Sequence, residues 1–213
     1  MDEKYNKKIR GIIEKLCIMH RYIEKNIEML RDALIGYDEK KANIVLEDDM
    51  ASKKLINDIE RECFKILLMQ QPVATDFREV SASLKIITDL KRIDEQISDI
   101  AEIIVELAKL NAKSNTNLER MANETINIIK SCVDAYINND IKTAKGLDDM
   151  DDILDKLFID IQADLINEIK QSPDSAEKII YIMMINKYLE RIGDHTVNIG
   201  EWIVYSVDGI LPK

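Results

Sequence analysis

Turn-forming residues are scarce, with six Gly and three Pro in 213 residues. So few reversal points exclude a fold of many short strands. Lys, Glu, Leu, Ile and Met at helical spacing fill the intervals, which predicts an all-α class. The cysteines are three, Cys17, Cys63 and Cys132, scattered and odd in number. That excludes a disulfide framework and fits thiols used as core residues in a reducing compartment. Charges interrupt every apolar stretch before the roughly 18 residues that a membrane span needs, and the charged start Met1-Asp2-Glu3-Lys4 does not read as a signal peptide. A soluble cytoplasmic protein without membrane insertion is expected. Positive charge is the minority sign, giving a formal net charge of −10 and a pI near 4.9. This excludes a partner recognised through its phosphate backbone, so no nucleic acid is expected.

Catalytic signatures are absent too. The chain contains no Gly-rich phosphate loop, no Gly-x-Ser-x-Gly elbow and no nucleophile with a His nearby. Neither of the two histidines completes a Glu-x-x-His pair, which counts against a ferritin-like di-iron oxidase. Cys17 and His20 form a lone Cys-x-x-His, a weak zinc signal without a second pair. The only tryptophan, Trp202, is open to two readings, core packing or a partner contact. A non-enzymatic protein is expected.

What the chain does have is helical periodicity. Ile12, Leu16, Met19, Ile23, Ile27 and Leu30 predict a first helix from Tyr5 to about Leu34, ended by Gly36. A second runs from about Asp38 to Gln70 and stops at Pro72, and a third from about Thr75 to Leu110. The polar run 111–117 reads as a linker. Helices then follow over about Leu118–Asn138, Asp140–Lys170 and, capped by Ser172 and opened by Pro173, up to about Val207.

The second half repeats the first. Ala33 and Ala135, Asp38 and Asp140, Asp49 and Asp151, and Leu55 and Leu157 are each 102 residues apart, while Leu90 and Leu189, or Ile93 and Ile192, are 99 apart. So long a period argues for duplication of a whole bundle. The expected architecture is six long helices in two tandem, pseudo-symmetric antiparallel three-helix bundles set end to end, with residues 1–110 and 118–213 as the two units.

The candidate chemistry lies beside a buried seam. On a helix advancing about 100° per residue, Glu190, Asp194 and Glu201 fall within about 40° of one another, next to the apolar row Ile182, Ile185, Leu189, Ile192, Ile199 and Ile203. Asp151 and Asp155 repeat the same i, i+4 spacing on the helix expected to face it. Four carboxylates from two facing helices suit a hard or borderline cation such as magnesium, calcium, manganese or iron. Lys and Arg partners on a solvated acidic face are the alternative. His195, about 140° from Glu190, points away from the stripe and is assigned to surface or interface packing.

Leu-Glu-Arg-Ile-Gly-Asp-His at 189–195, its altered copy at 90–96, and Gln71-Pro72-Val73-Ala74 followed by Asp76-Phe77-Arg78 closely resemble the PhoU family of phosphate-transport regulators, over nearly the full chain. The resemblance implies a cytoplasmic, commonly dimeric regulator. It would act negatively on the phosphate-starvation response through the ATPase of the phosphate ABC importer and a sensor histidine kinase. It also implies multinuclear metal clusters, with iron or zinc first and magnesium or manganese as alternatives, on Glu/Asp-x-x-x-Asp motifs of facing helices. Carried onto this chain, the second-half ligands are Asp151, Asp155, Glu190 and Asp194, with Asn198 and Glu201 adjoining. The first-half set is Asp49, Glu95, Asp99 and Glu102, but Lys53 stands where Asp155 does and Lys91 where Glu190 does. Two ammonium groups neutralise the acids there without any metal, so metal is expected preferentially in the second half. The alternatives to a metal-binding adaptor are a carboxylate-bridged di-metal enzyme and a metal-free helical interaction module.

Overall fold

The computed structural model describes residues 3–47, 49–69, 74–112 and 116–211. Among these the regular structure is entirely helical. The first half holds α1 (Glu3–Leu34), α2 (Glu39–Glu47), α3 (Asp49–Met69) and α4 (Ala74–Lys109). The second holds α5 (Thr116–Asn138), α6 (Ile141–Lys145), α7 (Leu147–Gln171) and, after a 3-10 turn at Pro173–Ser175, α8 (Ala176–Asp208).

The duplication reaches down to the turn chemistry. After α1 the chain turns through Gly36 (φ 74°) and Tyr37 (φ 52°), Asp38 N–H donates to Ala33 O at 2.8 Å, and the Asp38 carboxylate accepts from the Lys40 and Lys41 N–H groups. After α5 it turns through Asn139 (φ 51°), Asp140 N–H donates to Ala135 O at 2.9 Å, and Asp140 accepts from the Lys142 and Thr143 N–H groups. Gly and Asn tolerate the left-handed conformation, and the Asp that follows satisfies the orphan N–H groups of the next helix.

Several expectations need correcting. The fifth expected helix is interrupted at Gly146, whose N–H bonds back to Lys142 and Thr143. Ser172 does not cap α8: its side chain makes no cap bond, and the Ser175 hydroxyl donates to Ser172 O at 2.6 Å to close the 3-10 turn that Pro173 begins. α5 starts at Thr116, inside the expected linker, while residues 113–115 lie outside the described residues, as do 71–73 of the Gln71–Ala74 motif.

The two bundles are not set end to end. They lie side by side, joined by one continuous apolar core in which α4 against α8 is the most extensive helix pairing and α1 against α5 a second inter-half contact. The cause is the width of the apolar face of α4. Its buried residues Ile86, Ile87, Leu90, Ile93, Ile97, Ile100, Ala101, Ile103 and Ile104 span about 200° of helix circumference, too much for one bundle to cover. The pairing is antiparallel: Asp89 meets His195, Asp99 meets Tyr188, and the Lys85 ammonium sits 5.6 Å from the Trp202 ring centre. This register sets residue 94 opposite residue 193, positions that are also repeat equivalents. The internal two-fold relation of the halves therefore runs through this crossing.

Candidate metal centre

Glycine in a helix interior costs about 1 kcal/mol relative to alanine, so Gly193 in the middle of α8 calls for a packing reason. The reason is Asp151. A Cβ placed on Gly193 would overlap Asp151 Oδ1 and stand 2.7 Å from Leu154 Cδ1. The missing side chain is the space into which α7 lodges the Asp151 carboxylate. There Oδ1 is buried with no hydrogen-bond partner.

An unpaired carboxylate oxygen cut off from water resists ionisation, and the surroundings add to that. Burial raises the Asp151 pKa to about 7, reinforced by the charges of Asp194, Asp155, Glu190 and Asp148 in that order. Burial is also the first cause of the raised values at Glu190 and Asp194, with Asp194 and Asp155 next for Glu190 and Asp155 next for Asp194. The four carboxylates singled out from the sequence thus form one electrostatically coupled group, with Asp155 at its exposed side. Among the described residues, no three His, Cys, Asp or Glu side chains are already drawn into a finished chelate. The donor set nevertheless fits a cation: oxygen ligands of one sign, one of them buried and orphaned, in a cradle that a single Cβ would fill.

The remaining predicted residues divide. Asn198 lines, with Asp148, Asp151 and Asp194, a groove of about 720 Å³ on the α4–α8 crossing. Glu201 opens instead onto a second cavity of about 320 Å³, beside Ala144, Gly200 and Leu211. Glu95 and Asp99, assigned from the sequence to a separate first-half site, line the same large groove as Asp151 and Asp194. Glu102 is exposed on α4, as are Lys91 and, on α3, Lys53. The side chain of Asp49 lies outside the described residues.

Symmetry accounts for this mixing. Arg92 and Arg191, Glu95 and Asp194, Gln96 and His195, and Asp99 and Asn198 are repeat equivalents, and all eight line the groove. Side chains near an internal two-fold meet their own copies. His195 makes an interface contact: its Nδ1 lies 2.8 Å from Asp89 Oδ1 and donates to it, joining α8 to α4 at the groove edge. The sequence reading missed Gly193, Gln96 and the Asp89–His195 pair. For Gly193 a signal was available, a helix-interior glycine beside a candidate ligand.

In the first half the equivalents of Leu154 and Gly193 are Ser52 and Asp94. There the Ser52 hydroxyl donates to Asp94 Oδ2 at 2.6 Å, and both residues are buried. The two halves have different chemistry at the same place in the fold.

A duplicated helical bundle with a cluster of perturbed carboxylates beside the crossing of its repeats is the class of protein these features define. The PhoU domain profile matches the chain twice, over residues 16–104 and 118–203. The chain belongs to the PhoU family. It is 33% identical over 210 residues to a phosphate-specific transport system accessory protein PhoU homolog of Deinococcus radiodurans, covering 98% of this chain and 99% of that one. To the protein of the same name in Clostridium acetobutylicum it is 30% identical over 200 residues, covering 92% and 90%. Its fold is similar to the crystal structure of PhoU from Pseudomonas aeruginosa, with a TM-score of 0.93, 25% identity and coverage of 97% of this chain and 100% of that one. Among the described residues no helix is long and apolar enough to cross a membrane.

Proposed function

We propose that the chain is a metal-binding accessory protein of phosphate uptake, not an enzyme. It works in the cytoplasm, commonly as a homodimer, and restrains the phosphate-starvation response by contacting the ATPase of the phosphate importer and a sensor histidine kinase. Full-length membership of a family whose members are named accessory proteins of phosphate transport supports the regulatory role. The observation that carries the metal is the buried, unpartnered Asp151 Oδ1 among coupled carboxylates.

Asp151, Asp155, Glu190 and Asp194 hold the cation, with Asn198 as a neutral oxygen donor beside them. Iron or zinc comes first, with magnesium or manganese as alternatives. The bound ion removes the mutual repulsion of the acids and ties α7 to α8. The acidic surface, with a net charge of −10, favours basic patches on its partners and makes the association weaken as salt rises.

Two measurements test this reading. Elemental analysis of chelator-free protein should find metal that Asp151→Ala/Asp194→Ala abolishes. Metal-free protein after both aerobic and anaerobic loading would end the metal proposal. Pull-downs with the importer ATPase and the sensor kinase should recover at least one of them at low salt and less of it at high salt. Recovery of neither would end the regulatory one.

A further inference from the structure

We infer that one pair of facing residues decides which of the two duplicated positions takes metal: Leu154 with Gly193 makes the second-half position a metal centre, and Ser52 with Asp94 makes the first-half position a closed polar lock that takes none. The inference rests on the metal reading above and adds what selects the site.

In the second half nothing projects from position 193, so the Asp151 carboxylate occupies the helix–helix groove. Its neighbour Leu154 has no donor to offer, and Oδ1 is left without a partner. In the first half a side chain does project from the equivalent position, and it is itself a carboxylate. Asp94 is 5% exposed and Ser52 1%, and the 2.6 Å bond between them supplies the donor that Leu154 cannot. A buried carboxylate with a short O–H···O bond has its desolvation offset inside the protein and gains less from a cation than one with no donor at all. The charge pattern runs the same way, since Lys53 and Lys91 replace Asp155 and Glu190. Gly193 is thus a positioning residue, acting on the metal through the place it gives Asp151. Asp94 fills the corresponding place in the other repeat.

Exchanging the pairs tests the inference, with metal per full-length chain measured by elemental analysis after purification without chelator. The shift in Tm on adding manganese chloride is a second readout, and circular dichroism checks the fold. Leu154→Ser/Gly193→Asp should lower metal content at least about tenfold while the chain stays helical. Ser52→Ala/Asp94→Ala should leave metal content unchanged. Ser52→Leu/Asp94→Gly/Lys53→Asp/Lys91→Glu should raise it to about twice the parent value, because the first half then carries a second centre of the same kind. Retained metal in a folded Leu154→Ser/Gly193→Asp variant, loss of half the metal in Ser52→Ala/Asp94→Ala, or no gain in the fourfold variant would each overturn it. If the first variant does not fold, the other two decide. A parent protein without metal is the separate result that removes the reading beneath it.

Discussion

Replacing Asp151 by Asn should stabilise the metal-free protein while abolishing the metal binding proposed for it. The carboxyl is held at about 7 in the folded chain against 3.8 as a free group. A raised pKa means that the folded state binds the proton more tightly than the unfolded state. This contribution to stability is intact below about pH 4, falls as pH rises through the interval, and is gone above about pH 7. Taken at face value the interval is worth about 4 kcal/mol. Solvent reaches part of this half-buried group, and screening brings the figure to about 2 kcal/mol. Asparagine has the same shape, carries no charge and brings two N–H donors to a nest of acceptors.

The metal-free variant should therefore match the parent near about pH 4 and exceed it by about 2 kcal/mol at about pH 8. For a chain of this length that is a rise in Tm of about 4–8 °C. Urea denaturation and thermal melts of chelator-treated protein across that range measure it. Added metal should reverse the order, raising the Tm of the parent and leaving the variant where it was. A variant less stable than the parent at the alkaline end, or a parent whose stability is flat with pH, would refute the electrostatic account of the site.

One continuous core across the halves predicts a single cooperative unfolding transition, with emission from Trp202, which reports the α4–α8 contact, coinciding with the loss of helical circular dichroism. Two separated transitions would mean that the bundles fold independently. Asp140→Ala should cost about 1 kcal/mol, read as a midpoint shift in urea, because it removes the acceptor for the first N–H groups of α6. Of the three thiols, only Cys17 should react quickly with a soluble disulfide reagent in the native protein. Cys63 is buried with its pKa pushed up to about 12, Cys132 is buried and raised further, and Cys17 is partly accessible.

The helices and the duplication were legible because their signals are local. Spacing at three and four picked out Leu16, Met19, Ile23 and Ile27, all buried, and the equivalence of Asp38 and Asp140 survives as two matching caps. The docking of the halves was harder to read. A helical wheel gives the angle of Ile103 or Ala101 but not the element that covers it, and the breadth of the apolar arc on α4 was the only hint that a second bundle packs there. The acids show the same limit. Angles gathered Glu190 with Asp194, and the structure couples them, but that Glu95 and Asp99 line one groove with Asp151 and Asp194 was not legible, because the register between α4 and α8 is a tertiary property. The interruption at Gly146 and the 3-10 turn at Pro173 each fall on a residue that sequence reading treats as permissive or breaking. Which of the two applies depends on the packing around it.

The internal two-fold also explains why the repeats diverged where they did. A duplicated unit that packs against itself brings each side chain near the axis against its own copy, so an acid there doubles its charge density and pays in repulsion and desolvation. Far from the axis no such pressure exists, and Asp38 and Asp140, which make the same cap in each half, remain the same. Close to it the copies part: Asp99 faces the groove as Asn198 in the second repeat, and Gln96 as His195. The exchange of Asp99 for Asn198 removes one negative charge from the crossing, and the arginines kept in both copies, Arg92 and Arg191, add two positive ones. What is left is an asymmetric arrangement on a symmetric scaffold. The unpaired acid of Asp151 is concentrated on one side, and on the other an acid is already satisfied by Ser52. The duplicated fold supplies two positions, and the exchange of Ser52 and Asp94 for Leu154 and Gly193, on the helix faces turned away from the crossing, leaves an unpaired acid at one of them alone.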